Sequence, residues 1–196
     1  AWIAALAAAV NGFRGIRLPS PGRFFTSRNA ARSEALILGL WIALVGCLAP
    51  EGAFDSLRHH LLHPQAYAAN HKVFRIPYHF LSHNPALLEM QYLAAMLIGG
   101  PPQAAKLIHF AWGVLVLAVV VAWARETLEE HWALAAGACF LFLPYVQLVM
   151  MWGYVDLGAA GYLALALWAV RAPRRTALAG ALCGLCVGVK ITGVFA

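Results

Sequence analysis

Leu107–Ala124 reads LIHFAWGVLVLAVVVAWA, a run of apolar residues without a charge. As a helix rising 1.5 Å per residue it spans close to the ~30 Å hydrocarbon core of a bilayer. Similar blocks occur at Ala133–Met151 and Ala177–Ala196. Across all 196 residues, 62% are hydrophobic and 11% charged, with a mean hydropathy of +0.72. Soluble domains carry roughly 25% charged residues, so this chain has too little polar surface to cover its apolar faces in water. The fold predicted is all-α, a polytopic transmembrane helical bundle of about five spans in one transmembrane domain, residues 1–196.

The charges orient that bundle. Arg14, Arg17, Arg23, Arg28 and Arg32 precede the first acid, Glu34. By the positive-inside rule, residues 11–33 form a basic cytoplasmic loop. A helix over about Ser33–Ala49 then crosses outward, and residues 50–106 form an extracytoplasmic loop. Ala86–Ile98 is apolar but short, carries Glu89 and Gln91, and is followed by Gly99-Gly100-Pro101-Pro102. If it stays at the interface, nine cations lie inside and five outside; if it crosses, seven lie on each side. The first arrangement keeps Arg171, Arg174 and Arg175 inside and makes Ala86–Ile98 an interfacial helix. Leu107–Ala124, Ala133–Met151, Leu157–Val170 and Ala177–Ala196 are then the transmembrane helices of residues 107–196. Asp55 and Asp156 fall on the same outer side.

The ends also carry information. Ala1–Val10 reads as the last turns of a membrane helix, and the sequence stops inside an apolar run, so a fragment of a longer protein is expected. No basic segment precedes Ala1–Val10, which argues against a cleavable signal peptide. The net charge of +6 does not indicate a nucleic-acid partner. Eleven of the fourteen cations are Arg, mostly in short loops where they set topology. Cys47, Cys139, Cys183 and Cys186 all fall in predicted helices and read as helix-contact residues. Gly180, Gly184 and Gly188 recur every fourth residue, a spacing that suits close helix packing.

Chemistry concentrates in the outer loop. It holds Glu51, Asp55, Arg58, Lys72 and Arg75, with six of the eight histidines: His59, His60, His63, His71, His79 and His83. Phe54–His63 reads as one short helix stopped before Pro64, with Asp55 sharing a face with Arg58 and His59. A carboxylate there can act as a general base, and Arg58, Lys72 and Arg75 can neutralise a phosphate. The plainer reading is that Asp55 caps its helix while the cations meet lipid headgroups. Asp156, after Trp152-Gly153-Tyr154-Val155, is equally readable as a helix cap. Lys190 sits near the outer end of an apolar helix, where it either snorkels or offers charge to an anion. His59/His63 and His79/His83 have i,i+4 spacing, with Asp55 or His60 as a third ligand, a weak metal signal without a supporting motif. No P-loop, dinucleotide-binding glycine fingerprint or Gly-x-Ser-x-Gly elbow is present.

Four pieces in order resemble the N-terminal part of an integral-membrane (C-type) glycosyltransferase. This group includes protein O-mannosyltransferases, lipid A aminoarabinose transferases and bacterial relatives. They are Phe54-Asp55-Ser56-Leu57-Arg58-His59-His60-Leu61 through Pro64 and Tyr67; Asn84-Pro85-Ala86-Leu87-Leu88-Glu89-Met90-Gln91-Tyr92 up to Gly99-Gly100; Ala105-Lys106-Leu107-Ile108-His109-Phe110, with Arg125 closing that span; and Tyr154-Val155-Asp156-Leu157, followed by Gly188-Val189-Lys190-Ile191-Thr192-Gly193. The resemblance runs from about Ser33 to the C-terminus. It implies a sugar donor carried on a polyprenyl phosphate, transfer on the extracytoplasmic face and membrane lipids as partners. It also implies catalytic roles for Asp55 and Asp156, and substrate-binding roles for Arg58, His59, Lys72, Arg75, Glu89 and Lys190. Because the leaving group is already a phosphate, neither a metal nor another cofactor is required. Family members are longer, and the His-rich helix and Ala1–Val10 depart from their pattern. The rival readings are a membrane transporter with a histidine-lined outer vestibule, favoured by charges in mid-helix, and a metal-binding membrane protein.

Overall fold

The computed structural model describes residues 29–77, 79–171 and 175–195. The helix expected at Ala1–Val10, the basic loop up to Arg28 and Arg174 lie outside the described residues. Those described are helical, without a strand among them. The order is α1 (Ala30–Leu48), a π-helical turn (Ser56–His60), α2 (Leu62–Asn70), a 3-10 turn (Phe80–His83) and α3 (Leu87–Leu97). Then follow α4 (Gln103–Ala124), α5 (Glu130–Leu141), α6 (Pro144–Met151), α7 (Asp156–Val170), α8 (Thr176–Val189) and a 3-10 turn (Ile191–Phe195).

Two helices, α1 and α4, are long and apolar enough to cross a membrane, or three spans if α5 and α6 count as one bent unit. Ile37, Leu38, Trp41, Ile42, Val45 and Leu48 project from α1 with large exposed apolar surface. That face has no favourable place in water, and these helices indicate membrane association. α7 and α8 are shorter apolar helices.

The single span expected over Ala133–Met151 is broken, with α5 and α6 meeting at 66°. Pro144 is the cause, because it has no N–H and cannot continue the preceding helix. It instead opens α6 at the first helical position. Gln147 Nε2 donates to Leu141 O (3.0 Å) and Gly39 O (3.2 Å), covering a carbonyl near the break. Pro64 acts in the same way in the outer loop. The helix expected to stop before it is a π turn over Ser56–His60, and Pro64 sits in the first turn of α2.

α4 lies between two apolar clusters. Leu36, Ala43, Leu117, Leu134, Leu141 and Met150 join α1, α4, α5 and α6. Leu88, Tyr92, Ala105, Tyr162, Ala166, Leu182 and Val189 join α3, α4, α7 and α8. α7 comes close enough to α4 and α3 that a Cβ on Gly161 would sit 2.5 Å from Trp112, and one on Gly158 2.8 Å from Leu88. Of the glycine stripe on α8, Gly188 alone meets a neighbour, a Cβ there lying 3.5 Å from Leu87 at ordinary contact distance. Gly180 and Gly184 have no atoms within 4 Å of a Cβ, and α8 buries Ala179, Leu182, Cys186 and Val189 instead. Of the cysteines, Cys47 and Cys186 are buried at helix contacts, whereas Cys139 and Cys183 are exposed.

The bundle has two polar poles. Arg125 pairs with Glu130 through two hydrogen bonds (2.9 and 2.5 Å), and Arg171 pairs with Glu126. At the other pole gather the end of α1, the 50–86 loop, α3, and the starts of α4 and α7. There Lys106 Nζ donates to Gly46 O (3.0 Å) and Ala49 O (2.8 Å), covering carbonyls that the end of α1 leaves open. α3 ends in a tight reversal, with Gly99 in the left-handed region (φ 87°) and Gly100 N donating to Ala95 O (2.9 Å). This turn returns the chain into α4 at the same pole.

Candidate functional site

The loop after α1 is held by Glu51. Its Oε1 accepts from Gly52 N and Ala53 N (both 2.9 Å), and its Oε2 accepts from Ser56 Oγ and Gly153 N (both 2.8 Å). One carboxylate therefore ties the start of the π turn to a loop about a hundred residues away. Gly153 fits because a Cβ there would lie 2.8 Å from Ser56 Oγ. The 152–156 loop is fixed from two further sides. Tyr92 OH donates to Tyr154 O. His109, fully buried in α4, lies with Nδ1 2.8 Å from Val149 O and 3.0 Å from Trp152 O, while Leu157 N donates to its Nε2 (3.1 Å). Those partners require the Nδ1–H tautomer, since carbonyls only accept. Glu51, Tyr92 and His109 thus place Asp55 and Asp156 at one pole. Glu51 and His109 had only weak sequence signals, an acid just ahead of a helix and a lone His in an apolar run.

Asp55 caps nothing: no side-chain capping bond forms at its turn. It is 57% exposed, with Oδ1 3.9 Å from His59 Nε2. Asp156 is not a side-chain cap either. Its Oδ1 accepts from Lys190 Nζ (2.8 Å), with the two side chains 26% and 45% exposed. Lys190 is not inside the last helix as expected. α8 stops at Val189, and Lys190 is extended (φ −148°, ψ 129°), which turns its ammonium toward α7.

Behind Asp55 the histidines form a chain. His59 Nδ1 lies 3.1 Å from His79 Nε2, and His79 Nδ1 lies 3.2 Å from His63 Nε2. Burial, then the neighbouring imidazoles, pushes His63 down to about 4 and lowers His59 as well. His63 is therefore neutral near pH 7. Because His79 faces its two neighbours with different nitrogens, the three rings have no common vertex for one ion. Among the described residues, no group of three or more His, Cys, Asp or Glu side chains is set to hold a metal. His60 points elsewhere, with Nδ1 2.8 Å from Glu89 Oε1.

These elements enclose a cavity of about 290 Å³, at the small end of ligand pockets. Asp55, His59, His60, His63, Glu89 and Lys190, with Asn84 and Thr192, supply its polar lining, and Pro85, Val155, Val189 and Ile191 much of its apolar wall. Of the eight site residues expected from sequence, Asp55, His59, Glu89 and Lys190 line it, and Asp156 reaches it through Lys190. Arg58, Lys72 and Arg75 are exposed and do not line it. Arg58 lies over Phe54 (5.3 Å) and Lys72 over Phe74 (5.7 Å). The cavity thus offers an exposed carboxylate beside an imidazole, a buried carboxylate and a half-exposed ammonium. That set can accept a proton from a nucleophile and neutralise a phosphate. Compared with known proteins, the chain matches no family profile, no curated protein and no solved structure.

Proposed function

We propose that this chain is a membrane glycosyltransferase that moves a sugar from a polyprenyl-phosphate donor to an acceptor. The observation that carries the reading is the cavity itself, which sets Asp55 and the Asp156–Lys190 pair at one end of an apolar bundle. A lipid-linked sugar needs such a place, with its isoprenoid tail beside the bundle and its phosphate at the polar end. The transfer is an in-line displacement at the anomeric carbon. Asp55 takes the proton of the acceptor hydroxyl or amine as that atom bonds to carbon, and the carbon–oxygen bond to the lipid phosphate breaks. Lys190 neutralises the departing phosphate and Asp156 orients Lys190. His59 stands behind Asp55, and Arg58, Lys72 and Arg75 meet anionic headgroups or the approaching donor from outside the cavity.

In this reading α1, α4, the bent α5–α6 unit, α7 and α8 make five crossings, with the cavity on the extracytoplasmic face of a bacterial inner membrane. The polar groups buried in α4 support a transport path poorly, since Lys106 and His109 are engaged by backbone atoms. The histidine chain likewise favours no metal reading.

The test is turnover by the purified protein in detergent with a panel of polyprenyl-phosphate sugars, reading released lipid phosphate. Asp55→Asn is run beside it. Release by the native protein that vanishes in the variant supports the proposal; release that survives in Asp55→Asn removes Asp55 from the chemistry. No release with any donor and candidate acceptor counts against transfer.

A further inference from the structure

Among the described residues, three buried side-chain polar atoms have no hydrogen-bond partner: Trp123 Nε1, Gln147 Oε1 and Glu89 Oε2. Trp123 and Gln147 do not line the cavity; Glu89 does. Its carboxylate is held in place, because Oε1 is engaged by His60 Nδ1 at 2.8 Å and the residue is only 5% exposed. A buried carboxylate oxygen normally takes at least one donor. In Glu51 both oxygens are fully engaged by the protein, whereas Glu89, which lines the cavity, has one buried oxygen without a partner. The cavity is also lined by Asn84, Thr192 and Lys190, yet none of these side-chain donors engages Oε2.

We infer that Glu89 Oε2 recognises a hydrogen-bond donor on the transferred sugar, a hydroxyl or an ammonium. This rests on the glycosyl-transfer reading and adds to it a specificity-determining atom. Asp55 and Lys190 act where bonds change; Glu89 reads the sugar ring. His60 fixes the carboxylate through Oε1, so that the buried, unpartnered Oε2 gains its hydrogen bond only when a ligand donor reaches it. Glu89→Gln is a close isostere whose amide oxygen still accepts from His60, while its NH₂ replaces the free acceptor. A sugar donor group then meets a second donor.

The experiment measures equilibrium binding of undecaprenyl phosphate and of undecaprenyl-phosphate-linked sugars to the detergent-solubilised protein. One linked sugar is a neutral hexose and one an amino-deoxy sugar. The native protein is expected to prefer at least one sugar-bearing lipid over bare lipid phosphate by about tenfold, the size of one good polar contact. Glu89→Gln is expected to bind both at the bare-lipid level. A stronger preference for the amino sugar assigns an ammonium, and equal preference assigns a hydroxyl. A second arm avoids dependence on the variant's folding: O-methyl hexose derivatives, and an N-acetyl derivative of the amino sugar, are offered to the native protein. One of them should lose the same tenfold. If Glu89→Gln keeps the sugar preference, or no derivative loses it, the inference is overturned. If native protein binds bare and sugar-bearing lipids equally, the inference also fails while lipid-phosphate binding stands. Binding of neither lipid overturns the transfer reading and the inference with it.

Discussion

Lys106 and Glu89 are both buried, charged and near one pole of the bundle, yet their surroundings differ. At the start of α4, Lys106 gives its protons to Gly46 O and Ala49 O, and His109 is held on both nitrogens by backbone groups. In the cavity beside α3, Glu89 keeps an oxygen free, Asp55 is more than half exposed, and Lys190 and Asp156 stay partly open to solvent. A charge enters an apolar bundle only when its hydrogen bonds are met. Where backbone groups of a second helix engage the charge, as they do for Lys106, the residue holds helices together. Where the protein leaves a polar group unpaired or open beside a cavity, the residue is available to a ligand. The contrast therefore separates scaffold from site without reference to residue type.

Substitutions can break that contrast, beginning with the largest effect. Asp55→Asn should lower turnover by roughly 10²–10⁴-fold, the usual contribution of a positioned base, with helical content by circular dichroism unchanged. Lys106→Met should do the reverse. It leaves two carbonyls without their donor and costs about 1–3 kcal/mol, seen as a lower thermal midpoint with turnover per folded molecule retained. A loss of turnover larger than the loss of folded protein would move Lys106 into the site. Lys190→Met should weaken binding of undecaprenyl phosphate roughly tenfold, as removal of one charge-assisted contact does, and leave Asp156 without its partner. Unchanged affinity would reduce the Asp156–Lys190 pair to a surface ion pair.

The smallest effect is expected with pH. His63, held near 4, and His59, also lowered, are protonated more readily in the unfolded chain, whose imidazoles titrate near 6.5. Folded pKa values below the unfolded ones mean that stability is full above about 6.5 and declines as pH falls toward 4. Hydrogen-exchange protection factors (observed rate referred to the intrinsic rate at each pH) in the loop segments carrying the His59–His79–His63 chain should fall as pH drops through that window. His63→Gln should flatten the response, and a loop whose protection ignores pH would show that the chain does not hold it.

Much of this was legible along the sequence. Uncharged stretches of bilayer length announced helices, and α1 and α4 appear where hydropathy placed them. The shortness of Ala86–Ile98 and its trailing glycines foretold a short helix there, which is α3, ending before Gly99-Gly100. The breaks were harder, because an apolar run looks the same whether or not Pro144 or Pro64 restarts its helix. The glycine spacing on α8 misled, since a periodic stripe states which residues share a face and not what that face meets.

What the sequence determined by itself is the class of molecule: helices, and a polar loop rich in His and acids among apolar runs. These follow from local hydropathy and from the requirement that backbone groups be satisfied without water. Only the tertiary structure decided which polar groups meet. It put Lys190 on Asp156, Glu51 on Gly153 and His79 between His59 and His63, while leaving Arg58, Lys72 and Arg75 outside the cavity. Pairings between residues tens of positions apart depend on how helices stack and where they stop, and no local periodicity encodes that.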